Sequence, residues 1–469
     1  MRRTARHFCG IVLLLGTGCA LTDNGPLVAP EAPQFPSIER TAPTYRAAVP
    51  SRQSRPEIEQ ASFLTPVLPK RDQGIVPDGP LEVDELVRLA VERNPRIARA
   101  TIAIDAAQGR YLQAGLYPNP DLAFTWEEIG DRTGPGGIIT APRVSQPIVT
   151  GRKLSLAQAV VGKEIDQASL DMLTERYAVV GSVRATFYEV FALQQRLDIL
   201  TELVRLAEQS VEQGKSNLAG GRIARLDLIQ LEVELERFRA EAAAVERELP
   251  AAFRKLAAVT GDPRLPQRRL AAQFDSPPDY DLDAVRDAVL AFHPEARSAR
   301  VGVERAQAAV RSAEALPIPN VTLSGGFIRQ FENKSYDGGF GLSAPLPTWN
   351  RNQGNIRAAK AELGMAVQNV GQVENSLAER LATAFRTYAA ARQRSEHYRR
   401  EIIPRAEETY RLSLEAFKGG QFEYLRVVQS QRAVAEARLE RNKSLGDAWK
   451  AAGELSGLLL EEAWPEPRK

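Results

Sequence analysis

The sequence predicts a mainly α protein with a small β part, built twice from one strand–strand–long-helix-hairpin unit. Three observations predict it. Landmarks in the first half recur in the second at a nearly constant offset, as when Gly220-Gly221 falls on Gly419-Gly420. Each half holds a helix-period segment of about 65 residues, far longer than an ordinary globular helix. Each half also holds two short segments of alternating apolar and polar residues.

Composition sets the first limits. The chain has 469 residues, room for two or more ordinary domains. Lys and Arg total 61 against 59 Asp and Glu, so no basic excess marks a nucleic-acid binder. Three His, three Met and two Cys are too few for a cage of soft or imidazole ligands, so no metal and no cofactor is expected. Ala, Leu, Glu, Arg and Gln dominate the second part of each half, the composition of long helices and coiled coils.

The N-terminus reads as a signal peptide over residues 1–18. Arg2, Arg3 and Arg6 precede an apolar run from Phe8 to Leu15, then Gly16, Thr17, Gly18 and Cys19. The run is too short to span a bilayer, which takes about 20 residues. Small residues before Cys19 resemble a bacterial lipoprotein cleavage site, although Leu15 lies one position further from the Cys than is usual. An ordinary signal peptide with an incidental Cys stays open. If Cys19 is lipidated, the mature chain starts there and Cys9 leaves with the signal. Residues 19–80 are Pro-rich, without helical or strand period, and read as an extended tether. No later segment has 18 consecutive apolar residues, so a membrane crossing would have to be a β-barrel.

The remainder reads as two repeats, 81–270 and 271–462, with a tail at 463–469. LVRLAVERNPRIARA (Leu86 to Ala100) matches VRDAVLAFHPEARSA (Val285 to Ala299), with Asn94-Pro95 on His293-Pro294. SQPI (Ser145 to Ile148) meets SAPL (Ser343 to Leu346), and TFYEVFALQQR meets AFRTYAAARQR. A shared order over this length is a duplication.

The elements follow in order. A short helix over 81–93 ends before Pro95, where the α region is disfavoured. A second, 95–116, starts with that Pro at its first position. Strands are expected at 119–128 and 138–148, then a long helix at 152–218, a Gly-Gly turn and another helix at 224–259. The second repeat gives helices 282–292 and 294–315, strands 320–331 and 336–346, and long helices 353–417 and 423–459.

Leu122, Phe124 and Trp126 share one face of the first strand, and Val321, Leu323 and Phe327 share one face of the third. In the fourth, Tyr336, Phe340 and Leu342 oppose Asp337, Gly341 and Ser343. Pro142 argues for an edge or irregular position in the second strand. Such alternation fits a transmembrane barrel strand and equally a soluble hairpin with one face packed. Four strands cannot close a barrel, and a bilayer does not tolerate an open sheet edge. Strands that span a membrane would therefore come from several chains, and three chains would give twelve.

A helix of 65 residues is about 100 Å long and needs neighbours along its length. Leu193, Leu197, Leu200, Val204 and Val211 form a stripe, and Ala242–Ala244 and Ala389–Ala391 allow close packing. The polar remainder suggests a wet second face, either a hollow α-barrel or a coiled-coil stalk.

These residues carry a family resemblance. The duplication, the NP boundary, AGLYPNPDLAF, SQPIVTGRK, PLPTWNRNQGNIRAAKAEL and the two Gly-Gly turns resemble the TolC-type outer-membrane efflux family. The branch serving cobalt–zinc–cadmium-type cation efflux is the nearest. The resemblance spans about residues 80–460 and implies a homotrimer with one outer-membrane barrel and a periplasmic α-helical tunnel. It implies docking to a periplasmic adaptor protein and, through it, to an inner-membrane efflux pump. The chain itself would be a passive gated duct, possessing no enzymatic activity.

On the same resemblance the Gly-Gly turns lie at the periplasmic tip, where adaptors dock. Candidate residues are Gly220, Gly221, Arg222, Arg225 and Asp227 at one tip and Gly419, Gly420, Glu423, Arg426 and Gln429 at the other. Arg426 and Gln429 stand where some relatives have acidic residues, which argues against an acidic ring. Arg222, Arg225 and Asp227 also read as solvated charges at a helix start, where Asp is favoured by the dipole. Trp126, Phe331 and Trp349 are candidate aromatics of the membrane interface; burial in a soluble core is the other reading.

No HExxH, Walker loop or Gly-x-Ser-x-Gly occurs. His293 reads as a helix boundary and His397 as a residue on a polar helix face. Glu127 and Glu128 are adjacent strand residues, so they point to opposite faces and belong near a rim with the Gly134–Gly137 loop. Two further readings compete: a periplasmic adaptor, and a structural coiled-coil lipoprotein without a pore. The first predicts one hairpin rather than two, and the second has no need of four matched strands.

Overall fold

The computed structural model describes residues 79–127, 138–330, 335–419 and 424–464. The signal peptide, Cys19 and nearly all of the tether lie outside them, as do Glu128 and the Gly134–Gly137 loop. The first repeat runs β1 (Leu81–Glu82), α1 (Val83–Arg93), α2 (Pro95–Gly115), β2 (Asp121–Glu127), β3 (Ile138–Ile148), α3 (Lys153–Ala219) and α4 (Arg225–Thr260). The second runs β4 (Leu270–Ala271), α5 (Leu282–Phe292), α6 (Pro294–Ala315), β5 (Val321–Gln330), β6 (Tyr336–Ser343) and α7 (Gln353–His397). A π turn (Tyr398–Ile402), α8 (Ile403–Lys418) and α9 (Tyr424–Leu458) complete it.

The matched boundaries have matched chemistry. Asn94 Oδ1 accepts the Arg96 N–H at 2.9 Å, and His293 Nδ1 accepts the Glu295 N–H at 3.2 Å. Each caps a helix whose first residue is Pro. Burial holds the His293 pKa below the usual histidine value, which keeps Nδ1 free to accept. The helix-boundary reading of His293 therefore holds, and His397 is exposed at the end of α7.

Helix α3 has 67 residues, about 100 Å of rise. Its neighbours change along its length. Near the sheet it meets α2 and α6, where Tyr111 lies beside Gly162 and Lys163 pairs with Glu304 at 2.8 Å. Further on it meets α4 and α9. The end of α4 abuts the start of α2, since Asn94 Nδ2 donates to the Val259 carbonyl at 2.6 Å. Two shorter helices thus line one long one end to end.

The contact of α3 with α9 is the closest. A Cβ on Gly453 would lie 2.5 Å from the Ala185 nitrogen, and one on Gly181 would lie 3.0 Å from the Gly453 carbonyl oxygen. Around this contact Phe187, Tyr188, Leu256, Tyr388, Trp449 and Leu455 form the main core. Arg184 is fully buried there and donates to the carbonyls of Glu461 (3.0 Å) and Glu462 (2.7 Å). Trp464, assigned above to the tail, lies under that guanidinium and beside Trp449.

The structure corrects the sequence reading in five places. Leu81–Glu82 pair parallel with Leu270–Ala271, so the first helix begins at Val83. Pro142 lies in β3, a central strand rather than an edge, because the sheet order is β2-β3-β5-β6. It sits in a bulge: Ala141-Pro142 oppose one residue on each neighbour, and the register shifts there in both pairings. The last strand ends at Ser343, short of 346 and just before Pro345. The helix expected over 353–417 is interrupted by the π turn ahead of Pro404, whose ring clashes with the carbonyl four residues back. Finally, Ala243 and Ala244 are exposed in the protomer, and only Ala242 packs inward.

These contacts predict opposite outcomes at two glycines. Gly453→Val forces side-chain atoms into the α3 backbone and costs about 1–3 kcal/mol. Gly371→Ala, on an open helix face with nothing within 4 Å, gains about 0.5–1 kcal/mol. Thermal unfolding of the detergent-purified protein checks both; a Gly453→Val variant melting at the wild-type temperature contradicts the close-approach account.

Candidate functional site

Two regions sit at opposite ends of the long helices. At one end β2, β3, β5 and β6 form an antiparallel sheet. Leu122 pairs with Val144, Leu323 with Leu342, and Gly325 with Phe340. These pairs share one face with Phe124, Trp126, Phe327 and Tyr336. Most of its large side chains are exposed, Leu122 at 62%, Phe327 at 63% and Phe340 at 77%. An apolar patch of this extent marks a surface meant to be covered by lipid or partner. The other face carries Arg143, Ser145, Thr322, Ser324 and Ser343, with Gly326, Gly339 and Gly341 between them.

The sheet has the length that a membrane strand needs. β3 has 11 residues and β5 has 10, against about 9–11 for a tilted crossing. Trp126 is near the turn end of β2, and Trp349 follows β6 at the helix end, exposed at 57% and 91%. Burial in a soluble core is therefore not their state in the protomer. Phe331 lies outside the described residues, and Glu127 closes β2. Within the described residues the outer edges of β2 and β6 pair with nothing.

At the other end lie the helix tips. Gly221 adopts φ +66°, Arg222 N donates to Asn217 O at 2.8 Å, and Gly221 N donates to Leu218 O at 3.0 Å. This pair of bonds closes a helix with a left-handed residue. Gly221 is therefore the position that requires glycine, while Gly220 at φ −81° does not. Asp227 Oδ2 accepts the Ala224 N–H at 3.0 Å, which ties the carboxylate to the start of α4. Arg222 and Arg225 are exposed.

At the second tip Gly419 ends α8 at φ −79°, a conformation open to any residue. Gly220 and Gly419 thus stand at the hairpin turns as helix C-caps, and among the described members of the two pairs only Gly221 is left-handed. Gly420 and Glu423 lie outside the described residues, and Arg426 and Gln429 are exposed on the first turns of α9. Phe417 meets Tyr424 edge-on at 4.9 Å and closes the second hairpin. One apolar cluster joins both hairpins, with Val211, Leu231, Tyr424 and Val427 at its centre. On the outside of α4, Leu226, Ile229 and Val233 leave an exposed apolar stripe.

Sequence reasoning missed Arg143, Phe417 and Tyr424. Tyr424 and Phe417 belong to a helical apolar period and gave no separate signal. Arg143 had one: its repeat partner is Gly341. Among the described residues no group of His, Cys, Asp or Glu is placed to hold a metal, and no helix is long and apolar enough to cross a membrane.

Comparison with known proteins fits this geometry. The family described as outer membrane efflux protein matches twice, over residues 86–262 and 285–459. The cobalt-zinc-cadmium resistance protein CzcC of Cupriavidus metallidurans is 25% identical over 407 residues, covering 86% of this chain and 94% of that protein. The pyoverdine export outer membrane protein OpmQ of Pseudomonas putida is 24% identical over 432 residues, covering 79% and 87%. Among solved structures, CusC superposes with a TM-score of 0.69 at 18% identity, covering 80% of this chain and 91% of that one. The outer membrane protein VceC of Vibrio cholerae gives 0.66 at 19% identity, covering 80% and 95%. A duplicated profile matched in both halves, on a fold shared with such channels, places the chain: it belongs to the outer membrane efflux protein family.

Proposed function

We propose that the chain is the outer-membrane duct of a tripartite efflux system. The observation that carries this is the four-stranded sheet with one apolar face, one polar face and two edges unpaired among the described residues. Three protomers joined edge to edge supply twelve strands and leave no edge in the bilayer. The long helices then extend into the periplasm as a hollow α-barrel of about 100 Å. Residues 81–270 and 271–462 are its two repeats. Trp126, Phe331 and Trp349 serve the membrane interfaces.

The tips carry the partner contacts. A periplasmic adaptor protein docks at the two hairpin turns, using Gly220 to Asp227 and Gly419 to Gln429, and links the duct to an inner-membrane pump. The exposed Leu226, Ile229 and Val233 provide apolar area for a neighbouring helix. Transport energy comes from the pump, and the duct is passive. The readings as an adaptor or as a coiled-coil lipoprotein without a pore are not favoured, because they leave the duplicated sheet without a role.

The cargo class proposed is heavy-metal ions, on the likeness to the cobalt-zinc-cadmium resistance protein. Deleting the gene in a host without a redundant duct should sensitise it to one or more such metals; unchanged tolerance across a metal panel contradicts this. Cys19 is proposed as the lipidated first residue. Cys19→Ala should abolish labelling by radioactive palmitate, and persistent labelling refutes the site. For the assembly, the mass of the protein extracted from outer membranes in mild detergent should be that of a trimer. A monomer in the soluble periplasmic fraction would overturn the duct.

A further inference from the structure

Among the described strand residues Arg143 is the one cation on the polar face of the sheet. It is the middle residue of β3, which runs from Ile138 to Ile148. It directly follows the Ala141-Pro142 bulge, a device that re-aims the next side chain. Its Nη2 donates to Ser324 Oγ at 3.2 Å. The floor beneath it is cleared. A Cβ on Gly341 would lie 2.7 Å from Ser324 Oγ and 3.9 Å from Arg143 Nη2. A Cβ on Gly326 would lie 2.9 Å from the Pro142 carbonyl oxygen. The repeat partner of Arg143 is Gly341 itself, so one repeat supplies the charge and the other supplies the space.

We propose that Arg143 shifts the charge selectivity of the barrel toward anions, tempering the cation preference that the acids of the same face create. This rests on the duct reading, in which three copies of Arg143 form one ring. Twelve strands about 4.8 Å apart and tilted about 40° close at about 24 Å across the backbone. A guanidinium lying on the wall is then about 8 Å from the axis, close to the Debye length at physiological salt. Three acids share the polar face: Asp121 and Asp337, each one same-face step along the strands from the row of Arg143, and Glu127 at the end of β2. Together they give the polar face a cation preference, and Arg143 acts against it. A permeating ion meets its highest electrostatic barrier midway through the low-dielectric slab, where Arg143 stands, and walls of low dielectric focus that field.

The test is ion selectivity in planar bilayers across a tenfold KCl gradient with 10 mM on the dilute side, where the Debye length is about 30 Å. The trimers compared are wild type, Arg143→Gln and Arg143→Lys, each first confirmed by detergent mass. The expected result is a cation-over-anion permeability ratio raised about threefold or more in Arg143→Gln, corresponding to a difference of about one kT between the two ions. Arg143→Lys should match the wild type, and the difference should vanish near 1 M salt, where the Debye length is about 3 Å. A conducting Arg143→Gln trimer with wild-type selectivity overturns the Arg143 proposal alone. A change that persists undiminished at 1 M salt also overturns it, because the cause is then steric. A wild-type trimer without conductance overturns the duct reading together with it.

Discussion

A backbone N–H or carbonyl cannot be left unpaired in hydrocarbon, and the rest of this structure depends on that constraint. One protomer offers four strands, an apolar face and two open edges. Such a sheet is costly alone in a bilayer and stable only when every edge finds a partner. Symmetric repetition of the chain, as proposed above, would solve the problem without further sequence. In the proposed trimer the long helices would inherit the same symmetry, because α3 starts five residues after β3 ends.

The helical part solves a different problem. Most helical stability in proteins comes from tertiary packing, so a helix of about 100 Å is lined throughout. The chain lines α3 with two shorter helices on one side, α2 and α4, which meet where Asn94 binds the Val259 carbonyl. On another side α9 approaches so closely that Gly181, Gly453 and Gly457 are obligatory. The aromatic core and the buried Arg184 then fix the C-terminal turn at the junction of the two repeats. Stability is concentrated there, between the sheet and the tips.

Much of this was legible in the sequence, for identifiable reasons. Duplication exposed the matched caps, since Asn94-Pro95 and His293-Pro294 are chemically equivalent helix starts. Alternation in Leu122, Phe124 and Trp126 and in Tyr336, Phe340 and Leu342 gave the two sheet faces. What escaped was local geometry decided by tertiary contact. The two-residue β1 and β4 have no period to read. Pro142 was legible as an irregularity, but its place in a central strand follows from the β3–β5 pairing, which joins the repeats. Pro404 was overlooked inside an otherwise helical pattern, and it makes the second long helix widen into a π turn while α3 runs unbroken. The Gly-Gly pairs looked equivalent, yet only the φ of Gly221 shows a left-handed turn among their described members.

The central claim is that β2 of one protomer pairs with β6 of the next. Cysteine pairs drawn from Asp121, Ala123 and Thr125 on β2 and Asp337, Gly339 and Ser343 on β6 measure this directly in outer membranes. Oxidation should convert at least one pair to a ladder of covalent dimer and trimer on denaturing gels, with neither single variant cross-linking alone. Trimers in which no edge pair cross-links between chains would contradict the shared barrel.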